Sequence, residues 1–150
     1  MNTEITVEDS AETRHVTTFR LSTQDGGIQF LVDKDIPWIR RFCDVIQPLL
    51  NLKDGWDDDE ARHISPAAVS KTMKVLGQVL ADKSPFPHIS AHPWGGIVLE
   101  WQSPRKLLQV QIASNGVISV YWRDDDKSLE QEEENVVELQ FVKERLKLIA

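Results

Sequence analysis

A chain of 150 residues, 41% apolar and 27% charged, is long enough to enclose a core without disulfide or metal staples and too apolar for overall disorder. Its 17 Lys and Arg stand against 24 Asp and Glu, a formal net charge of -7. That balance argues against nonspecific DNA or RNA binding, because neutralising phosphates takes a clustered excess of cations. It leaves open a local basic patch, and imitation of nucleic acid by an acidic surface.

The apolar stretches are far shorter than the roughly 20 residues that cross a bilayer. The opening MNTEITVEDSAETR has neither a basic n-region nor an apolar h-region. No membrane partner is expected, and the expected location is cytoplasmic. Cys43 is the single cysteine and falls on an apolar position of a helical pattern, so a small packed hydrophobe is favoured over a catalytic thiol.

Residues 1–14 are polar and acidic and read as a flexible tail, with residues 15–150 as one α+β domain. From Val16 to Leu21 the chain alternates, with Thr17, Phe19 and Leu21 on one side. Gln24-Asp25-Gly26-Gly27 is turn chemistry and Ile28 to Val32 is again extended, which predicts an N-terminal β-hairpin. After Asp35, a plausible cap, and Pro37, the period lengthens. Ile36, Ile39, Cys43, Ile46 and Leu50 form one helical row and Trp38, Phe42, Val45 and Leu49 a second, a wide face suited to a core. Pro48 weakens the last turn, and 51–60 is a connection.

Ser65-Pro66 predicts a second helix start, carried on by Val69, Met73, Leu76, Val79 and Leu80 and ended by Lys83-Ser84-Pro85. Four short strands follow, at 87–91, 97–102, 106–113 and 117–122, with Ser114-Asn115-Gly116 as the clearest hairpin turn. They predict an antiparallel meander whose Ile97, Leu99, Trp101, Leu108, Val110 and Ile112 face is covered by the two helices, with Gln109 and Gln111 opposite. Glu100 is expected to point away from that face and to pair with Arg105 or Lys106. Residues 123–135 are strongly acidic and read as a solvated loop or helix start. Leu139, Val142, Leu146 and Ile149 predict a C-terminal helix.

No phosphate loop, nucleophile elbow or triad spacing is present, so an enzyme is disfavoured and no cofactor is expected. Asp54-Gly55-Trp56-Asp57-Asp58-Asp59-Glu60 with His63 lacks calcium-loop spacing and reads first as a turn-forming connection. Within it Gly55-Trp56-Asp57 is expected to clasp the two helices. His88 and His92, four apart at a strand, want a third ligand before they suggest zinc. Of five tryptophans, Trp38 and Trp101 fit core faces, whereas Trp94 in a turn and Trp122 at a strand end are candidate binding anchors.

Several strings carry a resemblance: K-D-G-W-D, I-S-P-A-A, P-H-I-S-A-H-P-W-G-G-I-V-L-E-W, and L-Q-V-Q-I with N-G-V-I-S. Together they resemble a family of small uncharacterised bacterial, plasmid and phage proteins, through Gly55, Trp56, Asp57, Ile64, Ser65, Pro66, Gly95, Gly96, Glu100 and Trp101. The resemblance spans about half the chain and implies a fold unit rather than an activity. Asp58-Asp59-Glu60 and Pro93-Trp94 depart from its pattern.

Two readings follow. The leading one is a noncatalytic protein-interaction or accessory factor, antitoxin-like or defence-related, that meets a basic protein surface through Trp94, Trp122, Asp124, Asp125 and Asp126. The alternative is a metal-dependent hydrolase using Asp54, Asp57, Asp58 and His63 in the 54–63 loop.

Overall fold

The computed structural model describes residues 2–9, 12–33 and 36–149, with the side chains of 18–32 and 36–149. The chain is α+β, with an N-terminal antiparallel sheet and its helix, and an antiparallel meander that carries two helices on one face, the second of them C-terminal. Its elements gather into two compact units, Met1–Lys53 and Asp54–Ala150.

The first unit holds strands β1 (Asn2–Asp9), β2 (Glu12–Thr23) and β3 (Gly26–Asp33), antiparallel in the order β1-β2-β3, and helix α1 (Ile39–Leu50). The segment read as a tail is thus largely strand: Asn2 pairs with Phe19 and Asp9 with Glu12, while Met1, Ser10 and Ala11 lie outside the described residues. The reason is local, since Thr3, Ile5 and Val7 are β-branched at a period of two, a pattern the acidic composition obscured. The expected hairpin joins Thr23 to Gly26, and Gly26 takes φ +122°, a conformation that favours glycine.

Phe19 and Leu21 are buried, and Phe19 stacks on its cross-strand partner Phe30 at 5.6 Å. Helix α1 packs against β2 with Ile39, Phe42, Ile46 and Leu50 buried, a line drawn from both expected rows. Trp38 and Cys43 are only half-buried. Gln47 stitches helix to strand: its Oε1 accepts from the Ser22 N–H and its Nε2 donates to the Ser22 carbonyl, both at 3.0 Å. Pro48 is accommodated in the final turn, and no side chain caps the start. Asp35, the expected cap, lies outside the described residues.

The second unit runs α2 (Pro66–Val79), β4 (His88–His92), β5 (Gly96–Ser103), β6 (Lys106–Ile112), β7 (Ile118–Asp124), β8 (Leu129–Glu133) and α3 (Gln140–Ile149). The five strands pair in chain order, each antiparallel to the next. Helix α2 starts as its sequence dictates, with Ser65 Oγ accepting from the Ala68 N–H at 3.1 Å and Pro66 in the first turn. The helical cover of the meander is α2 and α3; α1, expected there, belongs with the first unit's sheet.

Ile97, Leu99, Leu108, Val110, Ile112, Val120 and Trp122 line the covered face and are essentially inaccessible. Burying each such side chain is worth roughly 1.5–3 kcal/mol. Strand β8 was not expected, because Glu-rich sequence has low strand propensity; it forms as an edge strand whose backbone bonds come from β7. Ser128, at φ +49°, closes the turn that delivers it.

Candidate interaction site

The loop after Lys53 closes on itself through backbone and side chain together. Gly55, at φ +82°, donates its N–H to the Ala61 carbonyl at 2.7 Å, and Trp56 Nε1 donates to the Arg62 carbonyl at 2.8 Å. Asp54 Oδ1 accepts from the His63 N–H at 3.0 Å and lies 2.7 Å from His63 Nδ1, with Arg62 at 3.6 Å. These contacts hold the Asp54 carboxyl below its usual pKa range, the His63 backbone bond being the largest cause.

The expected clasp therefore fastens its own loop, and through it the β4–β5 turn. Arg62 N–H donates to the Pro93 carbonyl at 2.6 Å and Ser65 N–H to the Gly95 carbonyl at 3.0 Å. Asp57 and Asp58 do not join Asp54 and His63: both are exposed, and Asp58 Oδ1 accepts from the Glu60 N–H at 2.9 Å. Among the described residues no three His, Cys, Asp or Glu side chains converge as metal ligands. That includes His88 and His92.

The turn so fastened presents Trp94. Gly95 takes φ +86°, and a Cβ on Gly96 would lie 2.4 Å from the Ile112 carbonyl oxygen, so two glycines are needed for the chain to pass. The Trp94 N–H donates to His92 Nδ1 at 3.2 Å, and the rings meet edge to face at 6.4 Å. The indole is nevertheless 78% exposed. A large aromatic thus stands in water on a turn whose backbone is fixed by hydrogen bonds, so the main chain has little freedom left to lose on binding.

The other proposed anchor is placed differently. Trp122 is 1% exposed, on the covered face of β7 with the Arg145 guanidinium 5.7 Å from its ring centroid, so it is a core residue rather than an exposed anchor. The period of two that puts Val120 inside puts Trp122 inside as well.

The three aspartates are likewise engaged within the fold. Asp124 is buried, its Oδ1 accepting from the Asp126 N–H at 3.0 Å and lying 3.7 Å from Lys106 Nζ. Asp126 accepts from Lys106 Nζ at 2.9 Å and from Arg105, and Asp125 lies 3.1 Å from Arg123 Nε. Lys106, with Arg105 second, holds the Asp126 carboxyl below its usual range. This cluster cross-links the β5–β6 turn to the β7–β8 turn. Glu100, expected to take one of those cations, instead accepts from Gln109 Nε2 at 3.2 Å.

What the sequence reading did not assemble is the sheet face opposite the helices. The register sets His88, Glu100, Gln109, Tyr121 and Glu132 in one row across all five strands. Alternation already placed Gln109 and Gln111 there; Glu132 joins them only because β8 exists. Two shallow depressions of about 230 and 180 Å³ share Gln111 and Ser119 at their border and together run from Trp94 to Tyr121 and Glu132. Tyr121 donates its hydroxyl to Glu130, which raises the phenol pKa. In the first unit, burial and then Asp44 push the Cys43 thiol up to about 11, away from reactive thiolate.

Comparison with protein-family models, with curated proteins and with solved structures finds no match. The residues that carry the motif pattern have identifiable folding roles here: Gly55 and Trp56 close the loop, Ser65 caps α2, Gly95 and Gly96 make the turn, and Trp101 Nε1 donates to the Pro85 carbonyl at 2.8 Å. No helix among the described residues is long and apolar enough to cross a membrane.

Proposed function

We propose that this protein is a noncatalytic, cytoplasmic protein-interaction factor, of the accessory, antitoxin-like or defence-related kind, whose Trp94 anchors a partner with a basic surface. The observation that carries this reading is Trp94 itself, 78% exposed on a turn fixed by the bonds from Arg62 and Ser65. Exposed, pre-ordered tryptophans are the side chains that most often dominate binding energy. The hydrolase reading is not favoured, because Asp57 and Asp58 stand apart from the Asp54–His63 pair that would have to share a metal with them.

The test is capture of host proteins on wild-type protein and on Trp94→Ala in parallel, with cross-linking to locate the contact. A partner retained by wild type, lost by the variant and cross-linked near residue 94 is the expected result. Capture identical on both, or cross-links confined elsewhere, removes Trp94 as the anchor and the reading with it.

A further inference from the structure

Resting on that interaction reading, the sheet face opposite the helices has a charge pattern that selects its occupant. Its outward row positions on β4–β8 carry three carboxylates, Glu100, Glu130 and Glu132, and one arginine, Arg123, which is drawn to Asp125 at 3.1 Å. The remaining positions near the centre are neutral, chiefly Gln109, Gln111 and Ser119. Neither of the two packing helices sits there, since both cover the Leu99 and Val110 side. A second copy of the same face would set carboxylates against carboxylates, so self-association through it is opposed. The face is shallow and runs across the strands, which suits a length of chain better than an enclosed small molecule.

We propose that the face of the β4–β8 sheet opposite α2 and α3 receives an extended arginine- or lysine-rich segment of the partner protein, crossing the strands along the row from Glu100 to Glu132. The spacing is specific. Glu100 and Glu132 lie in one row three strands apart, about 14 Å at roughly 4.8 Å per strand. In an extended segment, residues four apart project to the same side and are about 13.5 Å apart, whereas residues three apart project to opposite sides. Cations at positions i and i+4 therefore reach both carboxylates together. Gln111 Nε2 donates to Gln109 Oε1 at 3.3 Å and Gln109 Nε2 to Glu100 at 3.2 Å, an amide relay that orients the Glu100 carboxylate.

The experiment uses the full chain, isotopically labelled, titrated in low salt with two ten-residue Ser/Thr peptides, each carrying two arginines, four residues apart in one and three in the other. Amide shifts on β5–β8 are expected with the first peptide, which binds about fivefold or more tightly than the second. Glu100→Gln with Glu132→Gln should erase that preference, and Asp82→Asn, exposed and outside this sheet, should leave it. Equal binding of the two peptides, a preference that survives the double variant, or shifts confined to other surfaces would overturn the proposal. So would a dimer, seen by sedimentation, whose contact protects this face. If the peptides fail while a host partner is still captured in a Trp94-dependent way, the segment proposal falls and the interaction reading stands. Loss of both results removes both.

Discussion

The Trp94 N–H donates to the ring of His92 at 3.2 Å while the two aromatic planes stand 87° apart, so the indole is oriented by its own turn rather than by burial. An exposed side chain held this way contributes little to folding. Trp94→Ala is expected to change stability by less than about 0.5 kcal/mol, measured by thermal melting. In partner binding the same change should cost about 2 kcal/mol or more. A large loss of stability would mean that the ring packs as core.

Gly96 is a steric requirement. A methyl group there would meet the Ile112 carbonyl oxygen at 2.4 Å, in the backbone of a central strand that cannot easily yield. Gly96→Ala should destabilise the second unit by about 1 to 3 kcal/mol or more, read as a lowered denaturant midpoint. A variant as stable as wild type would contradict the register of β5 against β6.

Trp56 was read as part of a clasp between the two helices, where truncating a large packed side chain costs about 3 to 5 kcal/mol. It is half-buried and its defining contact is the Nε1 bond to the Arg62 carbonyl. Trp56→Phe, which keeps most of the ring area and removes that donor, should cost about 1 kcal/mol. Melting temperatures of the Phe and Ala variants together separate the hydrogen bond from the packing.

Asp126 supplies an acid-side dependence. Lys106 and Arg105 depress its folded pKa, so as pH falls the native state takes up its proton later than the unfolded chain does. The contribution is present above the unfolded carboxylate range and is lost as pH falls through the folded value. The stability gap between wild type and Asp126→Asn should therefore be open at neutral pH and close in acid, followed by urea unfolding across that range. A gap independent of pH would mean the ion pair is not formed.

Under the proposed function, electrostatic steering is expected from a different set of carboxylates from the one the sequence suggested. Asp124, Asp125 and Asp126 are matched by Lys106, Arg105 and Arg123, so their joint replacement by Asn should lower stability more than the rate of association. Glu132, Glu133 and Glu134 are exposed on and beyond β8. Their replacement by Gln should slow association with a basic partner and flatten its salt dependence, because exposed charges are screened beyond about 8 Å at physiological ionic strength. Stopped-flow association at two salt concentrations decides between the two sets.

Local signals in the sequence determined most of the elements. Ser65-Pro66 marks a helix start because a hydroxyl and a ring satisfy free amides within a few residues. The period of two in 97–102 and 106–112 declares a covered face, and Asn115-Gly116 a turn, with no knowledge of the rest of the chain. The motif glycines and tryptophans were legible as a pattern, although their roles in loop closure were not.

Tertiary structure decided the rest, because the deciding contacts join residues distant in sequence. Strand β8 exists through hydrogen bonds supplied by β7, against the preference of its own glutamates. The second covering helix is α3 rather than α1, since an amphipathic stripe states that it must be buried but not against which sheet. Trp94 and Trp122 are the same residue type near polar neighbours, yet one lies in a turn fastened by Arg62 and the other on an inward strand position. Whether an acidic run is free charge or an internally neutralised turn depends on where Arg105, Lys106 and Arg123 fall in the strand register, which composition does not encode.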